Sequence, residues 1–164
     1  MAKSAQPREI NILRFISFLV CLTLLGCTDM PTEKQKIAKS FIESLESVRL
    51  VAYKDTEGRY SIGYGTKSYR GEKITLATAD KRFDRYLEKN VWGKVPNSLP
   101  ANQYAVYASL VYNMPKHAKS MLVKKTFGGY RLDCKKILTY RKASGKISKG
   151  LINRRQREYE LCVK

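Results

Sequence analysis

The chain has 164 residues, enough for one domain and a short additional segment. Hydrophobic residues make up 43% and charged residues 28%, which excludes a disordered polyelectrolyte and a membrane-embedded bundle, while 32 Lys and Arg against 14 Asp and Glu leave a net charge of +18 and imply an anionic partner. With one His, four Cys, and no Cys-x-x-Cys, His-x-x-x-His, Gly-x-Gly-x-x-Gly or Walker-type spacing, neither a metal nor a nucleotide cofactor is expected.

Residues 1–30 read as an export leader and 31–164 as the folded domain. Lys3, Arg8 and Arg14 precede an uncharged run from Phe15 to Thr28, which Asp29 ends. As a helix the run would rise about 21 Å, short of the ~30 Å hydrocarbon core, so it suits a signal better than a permanent span. Its end, Leu24-Leu25-Gly26-Cys27, resembles the lipobox of bacterial lipoproteins. On that reading Cys27 is a lipidation candidate and the segment attaches the protein to a membrane. A signal-arrest-release segment, a simple secretion signal and a buried helix of the domain stay open. Any of the three leader readings implies export to the bacterial periplasm or cell envelope. Cys21 and Cys27 fall in the leader, leaving Cys134 and Cys162, which are expected to pair as a disulfide in an oxidising compartment. The alternative is two buried thiols in a cytosolic protein.

Thr32 and Gln35 form a capping-box pattern, and Ile37, Phe41, Leu45 and Val48 follow at helical spacing, predicting a helix over 33–47. From Leu50 to Tyr64 a run rich in Val, Tyr and Ile is interrupted at 55–58, the pattern of a β-hairpin. Leu76, Ala79, Phe83, Tyr86 and Leu87 describe a second helix starting at Thr75. Further helices fit 101–113, 118–126, 131–142 and 150–162, with Gly128-Gly129 and residues 143–149 as separators. Pro115 lacks a backbone donor and breaks the chain after the 101–113 helix. One hairpin among many helices makes an α+β domain with a small mixed lobe and a larger helical lobe.

Chemistry in such a domain falls to carboxylates, because neither a His nor a Cys nucleophile is available. Glu46 ends the first helix, Asp55 stands at the hairpin turn, and Ser61 follows on the return strand. Paired carboxylates serve glycoside hydrolysis, where one must be protonated to release the leaving oxygen and one ionised beside the anomeric carbon. Taken alone, the same spacing also fits a solvated helix-end Glu, a turn Asp and a strand Ser.

Residues 46–65, ESVRLVAYKDTEGRYSIGYG, resemble the catalytic segment of phage-type lysozymes, the endolysin muramidases of glycoside hydrolase family 24. Glu46 and Asp55 match its pattern, and Ser61 stands where the family carries Thr. Asn102-Gln103-Tyr104, Tyr112-Asn113 and the segment from Gly150 to Glu158 agree with later parts of the family, so the resemblance runs over about residues 34–164. It implies a mostly helical lysozyme-like fold in which the hairpin lobe and the helical lobe flank a cleft. It also implies hydrolysis of the 1,4-β linkage between N-acetylmuramic acid and N-acetylglucosamine in peptidoglycan, by inversion and without a cofactor. Glu46 would be the general acid, Asp55 the ionised carboxylate, and Ser61 the hydroxyl holding the attacking water. Arg154, in the Asn153-Arg154 pair, would orient Glu46. Cys134 and Cys162 fall where exported members carry a cysteine pair. Thr66 replaces a common His, and Met114-Pro115 interrupts a common Asn-x-Gly.

Residues 116–164 carry fifteen basic and three acidic side chains, a footprint that would also suit nucleic acid. The absence of a helix-turn-helix or RNP-like pattern, together with the leader, argues for an anionic wall polymer instead. A wall-binding or membrane-disrupting protein without hydrolase activity is the remaining alternative. A monomer is expected.

Overall fold

The chain divides at Pro31 into residues 1–31 and residues 32–164. The computed structural model describes residues 30–55 and 58–164. The leader expected over 1–30, with Cys27, therefore falls outside the described residues except for Met30.

Helix α1 spans Glu33–Leu45 and begins as its sequence directs. The Gln35 amide donates to Thr32 Oγ1 at 3.3 Å while the Thr32 amide donates to Gln35 Oε1 at 2.7 Å, closing the capping box. Glu46 takes an extended conformation (φ −103°, ψ 142°) and ends the helix, one to two residues before the expected boundary. The chain then forms β1 (Arg49–Lys54), β2 (Tyr60–Gly63) and β3 (Thr66–Lys67), an antiparallel sheet in the order β1-β2-β3. The third strand extends the expected hairpin.

Thr75 caps α2 (Leu76–Asn90), and α2 buries Ala79, Phe83 and Leu87 one helical turn apart. Gly63 lets α2 approach the sheet: it has φ +64°, and a Cβ there would stand 3.2 Å from that of Ala79. Helix α3 (Ala101–Asn113) is buried continuously from Tyr104 to Val111 and is the axis of the core, with α1 packed against it. Rings tie the sheet to this axis, with Tyr64 4.8 Å from Phe83 and Phe83 5.7 Å, edge-on, from Tyr112.

The helices expected over 118–126 and 131–142 are not formed as such. A short α4 (Pro115–Ala118) and a 3-10 turn lead into β4 (Leu122–Lys124), which pairs with β5 (Tyr130–Leu132). Gly128 and Gly129, both at positive φ, turn the chain between these strands rather than separating two helices. A single turn of helix, α5 (Cys134–Ile137), follows. Strands β6 (Lys142–Ala143) and β7 (Lys146–Ile147) then form a hairpin across Ser144-Gly145, both residues at positive φ as a two-residue turn demands. Helix α6 (Lys149–Cys162), capped by Ser148, packs on α3 and α5. Cys134 and Cys162 form a disulfide with a Cα–Cα distance of 5.8 Å, fastening the end of α6 to α5. Among the described residues no helix is long and apolar enough to cross a membrane.

Candidate active site

Glu46 lies where α1 gives way to the sheet, so its backbone is fixed by the helix end. Its amide reaches the carbonyls of Ile42 at 3.1 Å and Glu43 at 3.2 Å. Its carboxylate is reached from the far end of the sequence: Arg154 Nη1 on α6 donates to Glu46 Oε1 at 2.5 Å. The side chains of this pair are 10% exposed for Arg154 and 21% for Glu46, so the carboxylate stays open to solvent while its partner is nearly enclosed.

Arg154 has further partners. Its Nε donates to Glu158 Oε1 at 3.2 Å and its Nη2 to Ser109 Oγ at 3.2 Å. Ser109 in turn donates to the same Glu158 oxygen at 2.7 Å. Glu158 is completely buried, and Arg155, almost as buried, brings Nη1 to 3.1 Å from Glu158 Oε2. Arg155 also donates to Asn113 Oδ1 at 2.5 Å. Burial pushes the Glu158 carboxyl up, against the opposing pull of Arg155, the Ser109 hydrogen bond and Arg154. Two arginines and two glutamates thus form a cluster joining the end of α1 and the middle of α6 to α3.

Tyr112 borders this cluster. Its hydroxyl donates to the Tyr64 carbonyl, and its ring packs edge-on against Tyr86 at 5.3 Å. Burial raises the Tyr112 phenol, reinforced by the charge of Glu46 and by Tyr86 and Tyr53, with Arg154 opposing.

The other expected residues belong to the sheet and its turn. Ser61 pairs directly with Tyr53, so both side chains share one face, and Ser61 is buried. Asp55 lies just past the end of β1, where the chain enters the turn. The Asp55 carboxylate accepts from the Arg59 amide at 2.9 Å and from Arg59 Nε at 3.3 Å, a local clamp at the turn. The structure therefore joins Glu46 to Arg154 by direct contact, while Ser61 sits on β2 opposite Tyr53 and Asp55 stands at the turn. His117 is exposed and packs against Tyr140 with ring centroids 5.4 Å apart.

Sequence reasoning assigned no role to Ser109, Tyr112 or Glu158. The one available signal for Glu158 was its spacing, four residues after Arg154 and three after Arg155, which aligns all three on one helix face.

The α+β domain, with the carboxylate at the end of its first described helix held by an arginine of its last, agrees with the lysozyme-like fold that the resemblance implies. The chain belongs to the phage lysozyme family, whose pattern matches residues 43–158. It is 31% identical over 134 residues to an endolysin of Bacillus phage PZA, an alignment covering 74% of this chain and 52% of the relative. The chain thus spans about half the length of the curated relative it matches. Among solved structures it resembles the endolysin from Escherichia coli O157:H7 phage FAHEc1, with a TM-score of 0.57 at 22% identity over 84% of this chain and 95% of that one. The muramidase domain of SpmX from Asticaccaulis excentricus gives a TM-score of 0.56 at 20% identity, over 82% and 98% of the two chains. These likenesses establish the fold.

Proposed function

We propose that the chain is a muramidase, a glycoside hydrolase (EC 3.2.1.17) that cleaves the 1,4-β linkage between N-acetylmuramic acid and N-acetylglucosamine in peptidoglycan. The observation that carries this reading is the contact between Glu46 and Arg154, 108 residues apart in sequence, in a chain of the phage lysozyme family. The endolysin and muramidase among its relatives support it.

In this reading Glu46 gives its proton to the glycosidic oxygen as the bond to the anomeric carbon breaks. Asp55 faces the positive charge that develops on the sugar and helps to position the attacking water. Ser61, with one hydroxyl to donate and accept, holds that water. Water adds to the anomeric carbon, and the proton it releases returns to the Glu46 carboxylate through solvent. No step requires a cofactor.

The reading includes a monomer working in the periplasm or cell envelope. The Cys134–Cys162 disulfide supports an oxidising compartment. Membrane attachment through residues 1–30, with lipidation at Cys27, is the form of export that the leader motif favours.

The decisive experiment is Glu46→Gln, which preserves shape but has no proton to give. Clearing of a peptidoglycan suspension should fall by at least about a hundredfold while thermal unfolding stays cooperative. A folded variant that still clears the suspension at a rate near wild type would overturn the assignment.

A further inference from the structure

We propose that Glu158 and Ser109 are positioning residues for this hydrolysis: they hold the Arg154 guanidinium in the orientation that presents Nη1 to Glu46. The inference rests on the reading of Glu46 as the general acid.

A side chain at the end of a helix, on extended backbone, has rotamer freedom that a general acid must lose, because misplacement by an ångström is costly in rate. Among the described residues Arg154 donates a hydrogen bond to the Glu46 carboxylate. Arginine is itself long, and its planar fork points usefully only when its other edges are fixed. Here both are. Glu158 takes Nε at 3.2 Å, one helical turn further along α6, and Ser109 takes Nη2 at 3.2 Å from α3. The Ser109–Glu158 bond of 2.7 Å closes the triangle, so that neither partner can turn without releasing the other.

On the far side of Glu158, Arg155 Nη1 stands 3.1 Å from Oε2 as an ion pair without a hydrogen bond, and Asn113 and the Met114 sulfur hold Arg155 at 2.5 and 3.4 Å. A chain of hydrogen bonds therefore runs from Ser109 on α3 through Glu158 and Arg154 to the partly exposed carboxylate of Glu46. A buried ion cluster is a poor source of net stability, since apolar residues of similar volume often serve as well. The feature apolar residues would not supply is the outward-facing Nη1.

The test uses the full chain with Ser109→Ala and Glu158→Gln, each also combined with Arg154→Ala, and a short soluble peptidoglycan glycan as substrate. Both single variants should lower kcat on the order of tenfold or more, with KM held within about twofold, since the acid rather than sugar binding is disturbed. In the Arg154→Ala background neither should reduce kcat further, because the group through which they act is gone. Undiminished kcat in the folded single variants would overturn the inference, as would losses that multiply in the Arg154→Ala background. Should Glu158→Gln fail to fold, Ser109→Ala, which only removes a hydroxyl from a helix, decides by the same two criteria. Glu46→Gln measured alongside separates the failures. Activity in that variant overturns the acid assignment and this inference with it; inactivity beside undiminished Ser109→Ala and Glu158→Gln overturns this inference alone.

Discussion

The resemblance to phage-type lysozymes implies threonine at the position of Ser61, a difference of one methyl group on an otherwise identical hydroxyl. In β2 Ser61 is buried opposite Tyr53, a position where a β-branched residue is at least as well suited to the strand. If its hydroxyl holds water, Ser61→Ala should cost on the order of tenfold or more in wall hydrolysis with little change in the unfolding midpoint, whereas Ser61→Thr should keep or raise activity. Equal activity in all three would reduce the residue to a strand position. Glu46, Asp55, Ser61 and Arg154 are expected site residues through the resemblance to phage-type lysozymes, and of these the structure joins Glu46 to Arg154. Ser109 and Glu158 were not legible in the sequence. A glutamate within Arg154-Arg155-Gln156-Arg157-Glu158 reads as one more solvated charge, and only tertiary packing makes it fully buried.

At the scale of elements, sequence was most informative where local chemistry fixes a boundary. Thr32 and Thr75 cap their helices as their side chains predict, and Pro115 follows a helix that ends at Asn113. It was least informative between 115 and 147, where short apolar runs fit helix or strand equally and pairing across a turn decides. Leu122 and Leu132 are partners in a strand pair, a non-local contact that helical periodicity does not register. The segment joining β3 to α2 carries a contact with a measurable signature. Glu72 accepts from Arg82 Nη2 at 2.5 Å and from Ser68 Oγ at 2.7 Å, fastening the sheet to α2. The Arg82 hydrogen bond, then that of Ser68, holds the Glu72 carboxyl below its ordinary 4.5. A carboxyl lowered by folding stabilises the fold above its unfolded pKa and loses that contribution as pH falls through the folded one. The unfolding midpoint of Glu72→Gln should therefore lie below wild type near neutral pH, and the gap should narrow as pH drops below 4.5. Melts across that range check it; a gap independent of pH would mean that shape, not charge, matters at this position.

Over the whole molecule, two features bear on how such a domain works at a wall. The disulfide closes an interval of 28 residues, a constraint on the unfolded chain of about 3–4 kcal/mol on the loop-entropy view, and it secures the same helix that carries Arg154 and Glu158. The other feature is charge: residues 31–164 hold 29 basic and 12 acidic side chains, a net +17. Peptidoglycan and its attached polymers are anionic, so long-range attraction should raise the encounter rate with intact walls. Its reach is set by salt, the Debye length shrinking from ~30 Å at 0.01 M to ~10 Å at 0.1 M. Hydrolysis of intact walls should therefore slow several-fold across that range, through encounter and not through the bond-breaking step. A short, nearly neutral glycan should be cleaved at almost the same rate throughout, because the contact between Arg154 and Glu46 is local and its arginine is largely enclosed. Parallel loss on both substrates would place the cationic surface within catalysis or fold stability and reject steering. No loss on either would leave the excess Lys and Arg to another anionic surface, such as a membrane, and would remove charge attraction from the account of how this domain finds its substrate.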